Sequence, residues 1–112
     1  MSGVYNEPTN YKFRNQFGHH GKFFATSSEV TEHLIIECDD KLTVSLRRTK
    51  VEFDYYVVQG SGYFVIDNKR HNVKVGDLII ISPGTLYTFG GKLKMLLINT
   101  PHLDQGQEEV IA

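Results

Sequence analysis

The stretch "VEFDYYVVQGSGYFVIDNK", residues 51–69, alternates large apolar side chains with polar ones and carries two glycines in its middle. An alternation of period two is typical of a β-strand with one buried face. Gly60 and Gly62 can adopt positive φ angles, so we expect a turn there between two strands at 53–58 and 63–66. The stretch therefore predicts paired antiparallel strands.

The rest of the chain follows the same pattern of short apolar runs separated by turn residues. No segment shows a sustained apolar stripe at the helical period. Turn-forming residues mark the boundaries at Asp67-Asn68, Gly76-Asp77, Ser82-Pro83-Gly84 and Gly90-Gly91, the last read as a hairpin. Further strands are expected at 32–38, 42–49, 71–75, 78–81, 86–89 and 93–99. About eight strands at this spacing predict an all-β sandwich or barrel.

Length and charge restrict the classes of function. A chain of 112 residues fits one domain with a single core. Its net charge of −1 gives no electrostatic reason to expect nucleic acid or a membrane surface as a partner. The N-terminus lacks the pattern of a secretion signal, so we expect a cytoplasmic protein. Cys38 is the only cysteine, which excludes an intrachain disulfide and a cysteine-rich zinc site.

Two apolar runs and the chain ends set the expected organisation. The runs "DLIII" and "MLLIN" are apolar at nearly every position, which indicates strands buried on both faces. A second subunit could cover the outer faces, so a homodimer is expected. Residues 1–30 are more polar and predict an irregular arm ahead of a β-barrel at 31–112, and the acidic tail from Pro101 also reads as irregular.

Three stretches resemble the motifs of small cupins: "YYVVQGSGYFVIDNK", "VKVGDLIIISPGTLYTF" and "LLINTPHLDQGQEE". In the first stretch Gly60 falls at the closing glycine of one cupin motif. In the second, Gly76 opens the other motif and Pro83-Gly84 lies at its turn. The resemblance implies a single-domain cupin jelly roll, which is a double-stranded β-helix.

The resemblance also identifies the positions where metal-dependent cupins hold their ion. That family uses a His-x-His pair, a glutamate before the closing glycine and a histidine after the turn glycine. Here Phe53 falls at the glutamate position and Tyr87 at the single-histidine position. The His-x-His pair falls on Arg47 and Thr49, or one residue earlier if the loop is longer. Because arginine stays protonated and repels a cation, the sequence predicts no metal ion and no other cofactor.

A jelly roll can enclose a cavity between its sheets even without a metal ion. If the family's glutamate position faces the interior, alternation places Phe53, Tyr55 and Val57 inward. The same alternation places Asp54 and Tyr56 outward. The lumen is therefore expected to carry aromatic side chains.

The predicted ligand-binding residues are Arg47, Thr49, Phe53 and Tyr87. An inward arginine would bind a carboxylate or phosphate through paired hydrogen bonds, and a tyrosine hydroxyl would orient or protonate a sugar oxygen. A slip of one residue in the strand register would replace Arg47 by Arg48. The alternative interpretation makes the tyrosines core aromatics and sends the arginine to solvent.

The segment "YYVVQGSGYF" resembles the small metal-free dehydratases of nucleoside-antibiotic biosynthesis within the cupin superfamily. In those enzymes a barrel tyrosine helps to position the substrate, and the likeness places Tyr55 at that spot. We therefore expect a metal-independent cupin that binds a polyhydroxylated or anionic small molecule in its lumen. The resemblance implies a lyase or isomerase acting on a sugar or nucleoside. Tyr55 is the predicted orienting acid, with His20 from the arm or His33 as the base.

Three alternatives stay open at this point. A non-catalytic small-molecule-binding cupin is favoured by the absence of an evident acid–base pair. A purely structural cupin with a filled barrel is suggested by Phe53. A metal site built from His33, Glu37 and an arm histidine is the third alternative.

Overall fold

The computed structural model describes residues 3–11, 13–14, 19–24, 31–39, 46–100 and 108–111, with the backbone alone at 13–14, 19, 46–49 and 108–111. These residues contain nine β-strands. None of them belongs to a helix that could span a membrane. The strands are β1 (Phe13–Arg14), β2 (His19–Phe23), β3 (Glu32–Cys38), β4 (Leu46–Thr49), β5 (Glu52–Ile66), β6 (Lys69–Lys74), β7 (Leu78–Ile81), β8 (Tyr87–Thr100) and β9 (Glu108–Ile111).

Two long strands organise the sheet. β5 and β8 pair antiparallel along their whole length, from Glu52 opposite Thr100 to Ile66 opposite Tyr87. The other edge of β5 pairs first with β7 and then with β6. The other edge of β8 pairs first with β4 and then with β3. β2 and β1 continue the sheet beyond β3, and β9 continues it beyond β4.

Both long strands bend where glycines bring their backbones together. The pairing register shifts between Val57 and Gln59. A Cβ atom on Gly60, whose φ is +87°, would lie 2.0 Å from the backbone oxygen of Lys92, and one on Gly62 would lie 2.2 Å from that of Gly90. Only glycine fits such an approach.

The predicted turns at Gly60–Gly62 and Gly90-Gly91 are therefore wrong. Both glycine pairs lie inside continuous strands, so the runs 53–58 and 63–66 belong to β5 and the runs 86–89 and 93–99 fall largely within β8. The physical reason is that the glycines serve a close backbone approach rather than a chain reversal.

The bend folds the sheet into two halves that face each other. The first half contains β1, β2, β3, β7, the start of β5 and the end of β8, and the second contains β4, β6, β9 and the remaining parts of β5 and β8. The core between them is formed by Leu34, Ile36, Cys38, Val51, Phe53, Tyr55, Val57, Phe64, Val73, Ile79, Ile81, Tyr87, Phe89, Leu93, Met95 and Leu97. The predicted all-β jelly roll is confirmed.

Most of the remaining turn predictions are also confirmed. Asp67 and Asn68 have φ angles of 49° and 66° and join β5 to β6 in a two-residue hairpin. Turns also form at Gly76 and at Gly84, both with positive φ.

Both chain ends contain more regular structure than the sequence indicated. β2 pairs with β3 over five residues, from His19 opposite Cys38 to Phe23 opposite Leu34. β9, within the tail expected to be irregular, pairs with β4. In both cases a short polar segment is held by the backbone hydrogen bonds of an open strand edge, which leave little trace in an apolar pattern.

The two runs that are apolar at nearly every position face the core with alternate residues only. Ile79 and Ile81 of β7 are buried, whereas Leu78 and Ile80 are 60% and 53% exposed. On the neighbouring strand Tyr56 and Val58 are also exposed. The first half of the barrel thus carries an apolar outer patch, which is formed by Tyr56, Val58, Leu78 and Ile80.

Candidate functional site

Aromatic side chains form a cluster in the described part of the barrel lumen, with Tyr55 at its centre. The Tyr55 ring lies 5.2 Å from the ring of Phe64 and 5.4 Å from that of Phe89, measured between centroids. Phe53 and Tyr87 lie at 6.0 and 6.1 Å from it. Tyr55 comes from the first half of the barrel, and Phe64, Tyr87 and Phe89 come from the second, so the cluster joins the two halves.

The alternation of β5 explains why these rings converge. Phe53, Tyr55 and Val57 are buried in the core, whereas Asp54 and Tyr56 between them lie on the other face. This is the pattern that the sequence predicted.

Two hydroxyl groups meet inside this apolar cluster. The phenol oxygens of Tyr55 and Tyr87 lie 2.8 Å apart and share a hydrogen bond. The two tyrosines are only 1% and 0% exposed. In such a pair one phenol donates, and the phenol that accepts keeps its own proton for another acceptor. The pair is therefore a buried polar group inside an otherwise apolar cluster.

Asn99 adds a second polar group on the lumen face of β8. It is 1% exposed and stands opposite Phe53 of β5 and Glu32 of β3. Its side-chain Nδ2 donates to Glu32 Oε1 at 2.9 Å. Sequence reasoning missed this residue, although it continues the inward phase of Met95 and Leu97. A polar side chain in that phase was the available signal.

Arg47 and Thr49 lie on β4, where the structure describes the backbone alone. Arg47 pairs with Tyr87 of β8. Thr49 lies two residues further along the same strand, and its backbone partner is Glu108 of β9. The pairing selects Arg47 rather than Arg48 as the residue opposite Tyr87, whereas the ligand-binding roles of Arg47 and Thr49 stay predictions.

The two histidines expected to act as the base are not brought together with Tyr55. Leu97 of β8 pairs with Leu34 of β3 on one side and with Tyr55 of β5 on the other, so Leu34 lies on the same lumen face as Tyr55. Because side chains alternate along a strand, the neighbouring His33 faces outward. Glu37 in turn stands opposite His20, which also places His20 on the outer face. His33 and Glu37 therefore lie on the outer face rather than in the lumen.

His20 takes part in contacts outside the barrel. Its Nε2 lies 3.3 Å from Asp39 Oδ2, and its ring packs edge-on against Tyr11 at a centroid distance of 6.0 Å. Asp39 follows β3 in the first half of the barrel, and Tyr11 belongs to the N-terminal segment 3–11. His20 also borders a groove of about 750 Å³ near the bend, with Gln59, Ser61 and Lys92 among its other lining residues.

A charged network holds the N-terminal segment 3–11 on this outer face. Lys22 is buried, with Nζ 3.2 Å from Glu7 Oε2 and 3.1 Å from Glu37 Oε1. Lys94 Nζ reaches Glu7 Oε1 at 2.9 Å, and Tyr11 donates a hydrogen bond to Glu37. The network links β2, β3 and β8 to the first residues of the chain.

The network shifts the ionisation of its members in favour of the charged forms. The hydrogen bond from Lys94, with a smaller one from Lys22, lowers the pKa of Glu7 against the opposing effect of burial. Burial raises the pKa of Glu37, but hydrogen bonds from Tyr11 and Lys22 outweigh it and leave that pKa below its usual value. Burial lowers the pKa of Lys22, but the hydrogen bonds of Lys22 to Glu37 and Glu7 outweigh this effect and leave that pKa above its usual value.

The sequence resemblance places Phe53 and Tyr87 at two ligand positions of metal-dependent cupins. Both side chains are buried in the aromatic cluster. Within the described ranges no three His, Cys, Asp or Glu side chains come together as a metal site. Glu37, named above for a possible metal site, is bonded to Lys22 and Tyr11.

Comparison with known proteins supports the fold. The family of AraC-like ligand-binding domains matches residues 55–91. No curated protein sequence matches the chain significantly. The matched residues include Tyr55, the bend and Tyr87.

Solved structures match over a larger part of the chain. A histidine-to-glutamine variant of Pac13 from Streptomyces, with uridine, is 18% identical, covers 100% of this chain and 92% of its own, and has a TM-score of 0.83. A tyrosine-to-phenylalanine variant with uridine is 17% identical, with coverages of 99% and 91% and a TM-score of 0.82. Pac13 is a nucleoside dehydratase.

A more distant similarity leads to a larger enzyme. Salicylate 1,2-dioxygenase from Pseudaminobacter salicylatoxidans is 10% identical, covers 74% of this chain and 26% of its own length, and has a TM-score of 0.69. The predicted resemblance to cupins is thus confirmed. The chain has a cupin-type jelly-roll fold and resembles Pac13 along its whole length.

Proposed function

We propose that this protein is a cupin that binds a nucleoside or a similar polyhydroxylated small molecule in its lumen and removes water from it. The observation that carries the proposal is the buried hydroxyl pair of Tyr55 and Tyr87 inside an aromatic cluster. Aromatic rings pack against the flat base of a nucleoside, and the hydroxyl pair supplies hydrogen bonds to its sugar oxygens. The whole-chain similarity to a nucleoside dehydratase adds support.

The chemistry of dehydration suits a tyrosine pair as the acid. A dehydration breaks a C–O bond and a C–H bond, and the departing oxygen must gain a proton to leave as water. One phenol donates that proton, and the second phenol stabilises the resulting phenolate by donating a hydrogen bond to it. A separate base must take the proton from carbon. No base is identified among the described lumen side chains. Arg47 is proposed to bind an anionic group of the ligand.

A non-catalytic ligand-binding protein is the second candidate function. The outward placement of His20 and His33 favours it, because neither histidine lies on the face of Tyr55. The match to AraC-like ligand-binding domains also supports binding without turnover. In this case the hydroxyl pair fixes the ligand and transfers no proton. Neither candidate includes a metal ion or another cofactor, and a cytoplasmic location stays a prediction from the sequence.

A binding and turnover assay separates these possibilities. Uridine, other nucleosides and a panel of sugar nucleotides are added to the purified protein, and binding is followed by calorimetry and by thermal stability. A ligand at a hundredfold excess over its Kd stabilises the protein by about 2.7 kcal/mol. Mass spectrometry then detects any product that has lost one water molecule. Binding with a dehydrated product supports the lyase, binding without a product supports the second candidate, and no binding across the panel contradicts both.

Two neighbouring tyrosines provide a matched control for the same assay. Tyr55→Phe removes a lumen hydroxyl, whereas Tyr56→Phe removes a hydroxyl from the 43% exposed side chain on the opposite face. We expect Tyr55→Phe to weaken uridine binding about tenfold, the effect of losing one buried hydrogen bond. Tyr56→Phe should bind as the unaltered protein does. Equal binding by both variants would remove the hydroxyl pair from the site.

We also propose that two copies of the chain associate through the apolar outer patch. Its members Leu78 and Ile80 are more than half exposed, and contiguous apolar surface of this kind marks interaction sites. Ile80→Lys should convert a dimer to a monomer in sedimentation experiments, while Lys74→Glu on β6 should leave the dimer intact. A monomer for the unaltered protein at micromolar concentration contradicts this assignment.

A further inference from the structure

Asn99 carries a buried hydrogen-bond acceptor that nothing in the described chain uses. Its Oδ1 is shielded from solvent and has no hydrogen-bond partner among the described residues. The orientation of the amide is fixed by its other end, because Nδ2 donates to the carboxylate of Glu32 at 2.9 Å. An amide turned the other way would set Oδ1 against that carboxylate. Oδ1 is therefore the unpaired end.

An acceptor left unpaired in the interior is costly. Burying a carbonyl oxygen without a donor destabilises the folded protein, because the oxygen loses its hydrogen bonds to water, and such groups are therefore rare. A leucine could fill the same space on β8, as Leu97 does two residues earlier. The amide at position 99 therefore needs a partner that the described residues do not supply.

The position of Asn99 connects it to the hydroxyl pair. Asn99 stands opposite Phe53, and Leu97 stands opposite Tyr55. The two positions are one inward step apart, which corresponds to about 7 Å along a strand. Phe53 lies in the same layer as Asn99, and its ring is 6.0 Å from that of Tyr55. Asn99 and the hydroxyl pair therefore lie in neighbouring layers of the same lumen face.

We propose that Asn99 Oδ1 accepts a hydrogen bond from a donor group of the lumen ligand, either a sugar hydroxyl or a ring N–H. This inference rests on the proposed function and assigns to Asn99 the choice of ligand. The tyrosine pair and Asn99 act on different atoms: the hydroxyls can donate to a ligand oxygen, whereas Oδ1 can only accept. Glu32 is the positioning residue, because its carboxylate holds the amide in the orientation that leaves Oδ1 unpaired.

The consequence is discrimination between ligands that differ by one donor. A site built to hydrogen-bond a donor rejects analogues that lack it, because its acceptor is then left unpaired. Uridine has four such donors: three sugar hydroxyls and the N3–H of its base. One of these groups meets Asn99, and its removal should cost affinity only while Asn99 is present.

The test measures Kd by calorimetry for uridine and for 2′-deoxyuridine, 3′-deoxyuridine, 5′-deoxyuridine and 3-methyluridine. In the unaltered protein one analogue should bind about threefold to tenfold more weakly than uridine through the loss of this bond. In Asn99→Leu that difference should disappear, while the other ratios stay unchanged. Thr100→Val, at the exposed next position, is the matched control and should keep all the ratios.

A second variant keeps the acceptor while exchanging the two partners. In the double variant Asn99→Asp with Glu32→Gln, an amide donates to a carboxylate whose second oxygen still faces the lumen. This variant should retain the discrimination that Asn99→Leu loses, and it serves if Asn99→Leu fails to fold.

The outcomes distinguish this inference from the proposed function. Uridine binding with the same analogue ratios in the unaltered protein and in Asn99→Leu overturns the role of Asn99, and an ordered water then satisfies Oδ1. If the double variant alone folds, loss of discrimination in it overturns the inference. Failure of uridine and all its analogues to bind the folded unaltered protein contradicts the nucleoside assignment and the inference with it.

Discussion

The two faces of the first half of the barrel carry opposite chemistry on the same strands. On β3, Leu34 and Ile36 face an aromatic lumen, whereas Glu37 belongs to a charged network on the outer face. Among the described lumen side chains, Tyr55 and Tyr87 share a hydrogen bond, and Asn99 donates one to Glu32. The outer face instead pairs lysines with glutamates under the N-terminal segment. Residues adjacent in sequence thus lie in different environments, one in the lumen and the other on the outer face.

This difference teaches that a candidate residue must be in the correct strand phase before its chemistry matters. His20 and His33 are suitable bases by residue type, yet register places both on the outer face. Asn99 was not a candidate by type, yet it lies in the lumen phase. The assignment of a residue to the lumen therefore depends on the strand register, because one extra residue moves every following side chain to the other face of the sheet.

The largest expected effect comes from a substitution at the bend, which creates the inner face by folding the sheet on itself. Gly60→Ala would place a methyl group 2.0 Å from a backbone oxygen at a φ of +87°. We expect a loss of about 4 kcal/mol or more in the free energy of unfolding, because neither backbone can move independently. Urea denaturation measures this loss.

Gly76 provides the matched control for this substitution. It also has a positive φ, +94°, but a Cβ atom there would meet nothing within 4 Å. Gly76→Ala should cost only the conformational strain of about 1 to 2 kcal/mol. Similar losses for the two variants would show that the close approach of β5 and β8 is unimportant.

The next largest effect is a difference in stability between substitutions of two adjacent tyrosines, one in the lumen and one on the outer face. Tyr55→Phe leaves the Tyr87 hydroxyl without this partner in a buried site, and we expect a loss of about 1 to 3 kcal/mol in the free energy of unfolding. Tyr56→Phe on the outer face should change it by about 0.5 kcal/mol or less.

A double-mutant cycle sharpens the result. The combination of Tyr55→Phe with Tyr87→Phe should cost less than the sum of the single variants, because both remove the same hydrogen bond. Additive losses would mean that the two hydroxyls do not interact.

The smallest expected effect concerns the pH dependence of the outer face. The pKa values of Glu7 and Glu37 are lowered in the folded protein, so the folded state binds fewer protons than the unfolded state. Their stabilising contribution is fully present above the ordinary glutamate pKa and is lost as the pH falls through the lowered values. The melting temperature should therefore decrease in that acidic range.

Glu37→Gln removes one of these groups and should flatten the acid part of the profile. Lys22, whose pKa is raised, behaves in the opposite sense: its contribution is lost only as the pH rises above the ordinary lysine pKa. Identical acid slopes for Glu37→Gln and the unaltered protein would remove Glu37 from the network.

The sequence predicted the fold class and the inward residues of β5 because alternation is a local property. Phe53, Tyr55 and Val57 could be assigned to the core without knowledge of any partner strand. The bend could not be predicted, because a glycine permits both a turn and a close backbone approach, and only the partner strand decides between them. The placement of His20 and His33 likewise depends on pairing across strands far apart in the chain. Asn99 was within reach, since its phase follows from Met95 and Leu97.

The most direct measurement of the central claim is an NMR titration with uridine that observes both faces at once. Tyrosine labelled with ¹³C at Cζ reports on Tyr55, Tyr87 and the control Tyr56, and labelled histidine reports on His20 and His33. The account predicts shifts at Tyr55 and Tyr87 that saturate together, with Tyr56 and both histidines unchanged. Shifts at His20 or His33 without shifts at Tyr55 and Tyr87 would contradict it, and so would saturating uridine that moves none of them.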